Sequence, residues 1–223
     1  RVPGCRPYLD DALLGHESFS EHKSALRAFF ESCRAAGITL KPAKMHLGHS
    51  EVKYLGMHIN RDGMALDESY VDALHKKPPP DGLKAAQRLV GALNWCRDHC
   101  VGFADKMRPI YDVIKPGTKW RKGGAAPTWG PAQEAARRAV MAGLEKRIRL
   151  AHPLRDGSGK MLLFCDASTE AVGAVLLEEH RREDGTVERV PLGVFSQKLS
   201  PAQQQYAPTA LEAYAVLAAV RRF

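Results

Sequence analysis

An α+β chain is what this sequence predicts, on three observations. Short runs of strand-forming residues bounded by turn formers lie toward both ends. Apolar residues recur at helical spacing through the middle, and prolines break the patterns apart. With 223 residues, 44% of them hydrophobic, the chain supports one large domain or two smaller ones and excludes global disorder.

The first element is an acidic turn. Tyr8-Leu9-Asp10-Asp11 runs into the apolar residues Ala12, Leu13 and Leu14. Adjacent carboxylates repel each other, and a divalent cation with a preference for hard oxygen ligands removes that repulsion. Consecutive residues on a helix point about 100° apart and cannot aim at one ion, whereas a tight turn between two strands can present both. An ordinary solvated acidic turn is the plain alternative. A helix follows from about Glu17 to Ala36, with Leu26, Phe29, Phe30 and Cys33 on one face and Gly37 at its end. Ile38-Thr39-Leu40 reads as a short strand before Pro42, and Val52 to Ile59 as a second. Asn60-Arg61-Asp62-Gly63 is a turn with positive φ at Gly63, and Met64-Ala65-Leu66 returns as the partner strand.

Asp67 caps a short helix through Leu74, and Pro78-Pro79-Pro80 breaks the chain. Leu83 to Arg97 is amphipathic, with Leu89, Val90 and Leu93 on one side. Further helices are expected from Phe103 to Ile114 and from Pro131 to Ile148, separated by a Gly-, Pro- and Lys-rich loop over Lys115 to Thr128. Composition changes at Leu154-Arg155-Asp156-Gly157-Ser158-Gly159, where a domain boundary is expected. Met161 to Asp166, Gly173 to Leu177 and Val190 to Ser196 read as strands. Glu178 to Glu188 reads as a charged hairpin loop with Asp184-Gly185 at its tip, and Pro208 opens a last helix containing Leu211, Tyr214, Ala215 and Ala218.

The formal net charge of +8 favours an anionic partner, nucleic acid first and an anionic membrane second. No run is long and apolar enough to span a membrane, and no signal peptide opens the chain. Five cysteines without framework spacing point to reduced thiols and an intracellular setting. Cys96 and Cys100 lie a helical turn apart beside His99, which invites a zinc reading. No second ligand pair has metal spacing, which argues against zinc. No loop has the ligand spacing of a calcium site. Both ends read as cuts.

The order of these motifs resembles the second half of a reverse transcriptase followed by the start of a ribonuclease H domain, as in gypsy-class long-terminal-repeat retrotransposons. Tyr8-Leu9-Asp10-Asp11 resembles the palm motif, Leu40-Lys41-Pro42-Ala43-Lys44 the segment after the following helix, and Val52 to Ile59 the strand and turn that hold the primer end. Pro78-Pro79-Pro80 with Leu89 to Arg97 resembles the start of the thumb, and Pro109-Ile110-Tyr111 with Trp129 the passage to the connection. The ribonuclease H resemblance rests on Phe164-Cys165-Asp166-Ala167-Ser168, Gly173-Ala174-Val175-Leu176, Phe195 to Ser200, and Tyr206 through Ala215. The chain departs from the pattern at Arg6-Pro7, where the family has an apolar strand. Proline donates nothing to a ladder, so a broken or edge strand is expected there.

The resemblance implies a late palm with a primer-grip hairpin over residues 1–66, a helical thumb and connection over 67–153, and an incomplete ribonuclease H-like α/β domain over 154–223. It implies an RNA-directed DNA polymerase and an RNA–DNA hybrid ribonuclease using two-metal phosphoryl transfer with Mg2+ or Mn2+. The implied catalytic and metal-binding acids are Asp10 and Asp11 in the palm, and Asp166 and Glu212 in the ribonuclease H part. Tyr8, Leu55, Gly56, Met57 and His58 are the implied nucleic-acid and primer contacts. Implied partners are an RNA template, a DNA primer, RNA–DNA hybrid and deoxynucleotides, in a cytoplasmic particle or the nucleus. The earlier palm aspartate and the later ribonuclease H acids are not among these residues, so the isolated chain is expected to be inactive. A non-catalytic nucleic-acid-binding remnant is the competing reading.

Overall fold

The computed structural model describes residues 2–115, 129–146, 148–154, 156–182 and 184–223. The expected loop over 115–128 therefore lies outside the described residues except for Lys115. The chain packs as two compact units, one ending at Tyr54 and the other spanning Leu55–Phe223.

The first unit opens with a hairpin of β1 (Cys5–Tyr8) and β2 (Asp11–Leu14), antiparallel with Tyr8 opposite Asp11. Arg6-Pro7 does not break it. The Gly15 amide donates to Gly4 O at 3.3 Å, so alternation along the ladder makes 4–15, 6–13 and 8–11 the hydrogen-bonded pairs. Pro7 opposite Ala12 then falls at a non-bonded pair, where a missing N–H costs the ladder nothing. Helix α1 (Phe19–Ala35) follows. Ser18 and Glu21 form a reciprocal capping box at its start. Gly37, at φ 69, closes it with Ile38 N bonded to Cys33 O and Gly37 N to Arg34 O, a Schellman end. Ile38-Thr39-Leu40 is not a strand. Ile38 is 57% exposed, and strand propensity without a partner leaves the backbone irregular. The unit ends in β3 (Glu51–Tyr54).

The run expected as one strand from Val52 to Ile59 divides, because Leu55 and Gly56 turn left-handed at φ 50 and 75. The second unit thus begins with β4 (Met57–Asn60), which pairs with β5 (Gly63–Leu66) around Arg61-Asp62. Asp67 caps α2 (Glu68–His75) by accepting from the Ser69 amide at 2.9 Å. Beyond the three prolines come α3 (Leu83–Trp95), α4 (Phe103–Val113) and α5 (Pro131–Glu145). Leu66, Leu74, Leu89, Leu93, Phe103, Met107, Ile110, Val140 and Leu144 share one core with Cys96 and Cys100.

A three-stranded antiparallel sheet completes the unit in the order β6 (Lys160–Ala167), β7 (Ala171–Arg181), β8 (Val187–Lys198), followed by α6 (Pro208–Arg222). The charged stretch from Glu178 to Glu188 is mostly strand, not loop. Arg189 pairs across it with Glu179 at 3.0 Å and Arg182 with Glu188 at 2.7 Å, so its charges neutralise each other on an exposed ribbon. Glu178, although charged, is fully buried; it accepts from the Leu154 amide at 3.0 Å and lies 2.7 Å from His180 Nε2.

The two faces of this sheet have different neighbours. Leu163, Cys165, Ala167, Val172, Ala174 and Phe195 pack under α6 against Leu211, Ala215, Ala218 and Ala219. On the other face the buried Ser196 hydroxyl accepts from the Ala104 amide of α4 at 2.9 Å, and Arg97 donates to the Ser196 carbonyl. Arg108–Glu170 at 3.3 Å and Arg222–Asp98 at 2.8 Å add further ties between the middle helices and this part. Lys115, hydrogen bonded to Asp112, holds that carboxyl below its ordinary range, with Lys198 and Arg108 adding to the effect.

Candidate functional site

The acidic turn sits where strand, turn and strand put it. Tyr8 and Asp11 close the hairpin as a hydrogen-bonded pair, and Leu9-Asp10 is its two-residue tip. Leu9 takes φ 52, a left-handed conformation uncommon for a bulky residue and costing of order 1–3 kcal/mol. Period-two alternation places Arg6, Tyr8, Leu13 and Asp11 on one face of the hairpin. Asp10 and Asp11 are both exposed, and Leu9 is 89% exposed. Two hard oxygen donors are therefore presented to solvent at one end of a small ribbon.

Tyr54, the last residue of β3, was not singled out by the sequence. Its hydroxyl donates to the Arg6 carbonyl at 2.9 Å. Burial, and after it the charge of Asp11, raise this phenol above its ordinary value, so it remains a donor through neutral pH. The only signal in the sequence was an aromatic residue just before Leu55-Gly56.

The four residues from Leu55 to His58 make the turn into β4 and its first two positions. The space left by the missing side chain of Gly56 faces Trp95 Nε1 at 3.4 Å and Tyr70 Cδ2 at 3.7 Å. Glycine is thus required here by its φ of 75, and its open side is lined by two rings.

Asp166 is the penultimate residue of β6, and Glu212 lies in the second turn of α6. Both are exposed. Gln197, opposite Val172 in the ladder, donates to the Tyr214 hydroxyl at 3.2 Å, so α6 begins at the Asp166 end of the sheet. Cys165 and Ala167 point toward α6, and alternation turns Asp166 to the opposite face. Glu212 is about 100° from the buried Leu211 around the helix, on its shoulder. The two acids share an end of the sheet and occupy different sides of it.

Cys96 and Cys100 are core residues. Both are fully buried, and burial, with Cys100 adding to it, pushes the Cys96 thiol up to about 12. His99, 3% exposed, is bonded through Nδ1 to Ile148 O at 2.9 Å. Iodoacetamide at pH 8 is therefore expected to label Cys5 in the folded protein and to spare Cys96 and Cys100 until the protein is unfolded, as peptide mass mapping would show. Among the described residues, no three His, Cys, Asp or Glu side chains come together as a metal-binding group, and no helix is long and apolar enough to cross a membrane.

Two family models match the chain. Residues 5–59 match reverse transcriptase (RNA-dependent DNA polymerase), and residues 129–223 match the RNase H-like domain found in reverse transcriptase. The Tf2-3 and Tf2-7 transposon polyproteins of Schizosaccharomyces pombe are each 27% identical over 216 residues, which is 97% of this chain and 15% of each polyprotein. The chain thus spans about one seventh of the length of these relatives. Among solved structures, a foamy viral protease-reverse transcriptase in complex with RNA/DNA hybrid superposes with a TM-score of 0.77 at 21% identity, covering 99% of this chain and 28% of that one. A second, in complex with double-stranded DNA, gives 0.76 at 21% identity over 99% and 37%. These superpositions establish the fold.

Proposed function

The chain belongs to the reverse transcriptase and RNase H region of long-terminal-repeat retrotransposon polyproteins, and on that premise we propose that it contributes to both RNA-directed DNA synthesis and hydrolysis of RNA–DNA hybrid. The observation that carries this reading is the Tyr8-Leu9-Asp10-Asp11 turn at the tip of an intact hairpin, with both carboxylates exposed. The family implies a divalent metal. The donor set at the turn fits Mg2+ or Mn2+, since adjacent exposed carboxylates are hard anionic ligands in want of a counter-charge. Asp10 and Asp11 would hold the ion, with other ligands supplied by the rest of the polyprotein. When bound, paired ions stabilise the attacking and leaving oxygens of an in-line displacement.

The residues of the chain then have distinct tasks. Asp10 and Asp11 would hold the cation beside the primer hydroxyl, where its positive charge would favour loss of the proton. Tyr8, on the face of Asp11 and half exposed, offers a ring to the nucleotide or primer end. Leu55, Gly56, Met57 and His58 present a turn and the start of a strand to the primer backbone. Asp166 and Glu212 are assigned to the ribonuclease site as positions at one end of the sheet, where both side chains must reach round its edge to meet one ion. The motif order divides the chain into late palm, thumb with connection, and nuclease part, at about residues 66 and 153, with an RNA template, a DNA primer and deoxynucleotides as ligands in an intracellular setting. Relatives of this fold are solved with double-stranded DNA and with RNA/DNA hybrid, which supports the same class of ligand here.

The competing reading, a non-catalytic remnant, drew on Arg6-Pro7 and on the two ends that read as cuts. The ladder accommodates Pro7, so the first of these no longer favours it. Expression of the polyprotein region that includes this chain, assayed for primer extension on an RNA template in Mg2+, tests the proposal. Extension by that region is expected; its absence, in a preparation that binds primed template, favours the remnant.

A further inference from the structure

We propose that Tyr54 is a positioning residue for the acidic turn: its hydroxyl, bonded to the Arg6 carbonyl, holds the hairpin so that Asp10 and Asp11 keep one orientation toward their ion. This rests on the polymerase reading of the turn. The hairpin needs such a tie. It is a two-stranded ribbon of four residues a side, and ribbons of that size are marginal by themselves. Its tip also carries the strained Leu9. The Tyr54 bond reaches across 48 residues of sequence and lands on β1 two positions before Tyr8. By the ladder alternation the Arg6 carbonyl already faces the Leu13 amide, so the phenol takes its second lone pair and leaves the hairpin register undisturbed. Burial and the nearby Asp11 charge favour the protonated phenol, which keeps the donor in place.

Tyr54→Phe removes the hydroxyl and keeps the ring, so the fold is retained. In the intact polymerase–RNase H region, the variant is expected to bind Mn2+ about three- to tenfold more weakly by electron paramagnetic resonance, the effect of losing one net hydrogen bond. Its kcat for primer extension should fall by about the same factor, with KM for deoxynucleotide and primed template unchanged. Hydrogen exchange should quicken over residues 5–14 and stay the same over 160–181, and hybrid hydrolysis should not move. Unaltered Mn2+ affinity and kcat, or a parallel fall in both activities, would overturn the proposal. Asp10→Asn separates the two levels of argument. If it abolishes extension while Tyr54→Phe behaves as wild type, only the role of Tyr54 fails; if it leaves extension intact, the polymerase reading fails and this proposal with it.

Discussion

Primer extension by the intact polymerase region is expected to drop about a hundred- to a thousandfold on Asp10→Asn, the scale on which removing one preorganised electrostatic group slows a reaction. The carboxamide matches the carboxylate in shape and removes its charge. Asp10 is exposed at the tip of the hairpin, so the substitution empties no core and breaks no ladder bond. Stability should therefore hold within about 0.5 kcal/mol, the ordinary range for surface changes. Hybrid hydrolysis by the same preparation serves as the internal control, because Asp166 and Glu212, the acids proposed for it, lie in a different unit. Extension above a tenth of the wild-type rate would show that Asp10 is not a ligand of the reacting centre.

The largest stability effect is expected at Gly63. Its φ is 132, a region closed to side chains, and a Cβ built there drives into the Leu150 carbonyl oxygen. The obstruction is backbone, because Met64 and Leu150 exchange N–H···O bonds of 2.8 Å in each direction and hold the two segments together. No rotamer change relieves it. Arg149 and His152, both bonded to Asn60 at 2.7 and 2.9 Å, fix the same approach from the other side of the turn. Gly63→Ala should cost about 3 kcal/mol, adding steric overlap to backbone strain. Urea unfolding of the Leu55–Phe223 part within the whole chain would measure it. Gly91→Ala is the contrasting case: it lies inside α3 with nothing within 4 Å of its added Cβ, so the sign reverses and about 0.5–1 kcal/mol is gained. Equal stability of the two variants would show that the approach of residue 150 to the hairpin is not fixed.

Much of the chain was legible from local chemistry. Capping residues, glycine stops and apolar spacing located the helices, because each is decided by neighbours within a few positions. The acidic turn was legible for the same reason. What escaped depended on partners distant in sequence. The division at Leu55-Gly56 was hidden because leucine rarely takes positive φ, and only the glycine hinted at it. Ile38-Thr39-Leu40 had strand propensity and no neighbour to pair with. The charges from Glu178 to Glu188 looked like a loop because their pairing across the ribbon is a matter of register. That Glu178 alone among the described ones is buried follows from the Leu154 amide arriving beside it, 24 residues away. Register also decides the side of the sheet on which Asp166 stands. Tyr54 was visible as an aromatic residue, but its bond to Arg6 belongs to the fold.

The Ser196 hydroxyl that meets the Ala104 amide bears on how elements of this kind exchange parts. A template switch that joined two divergent copies within residues 148–159 would take Ala104 and Arg97 from one parent and Ser196 from the other. Such a hybrid inherits a seam in which an amide faces a foreign side chain, even though no motif has been cut. Breakpoints at this apparent boundary should therefore be tolerated only between parents that both carry arginine at 97 and a hydroxyl side chain at 196, which makes the middle helices and the C-terminal sheet a jointly inherited block.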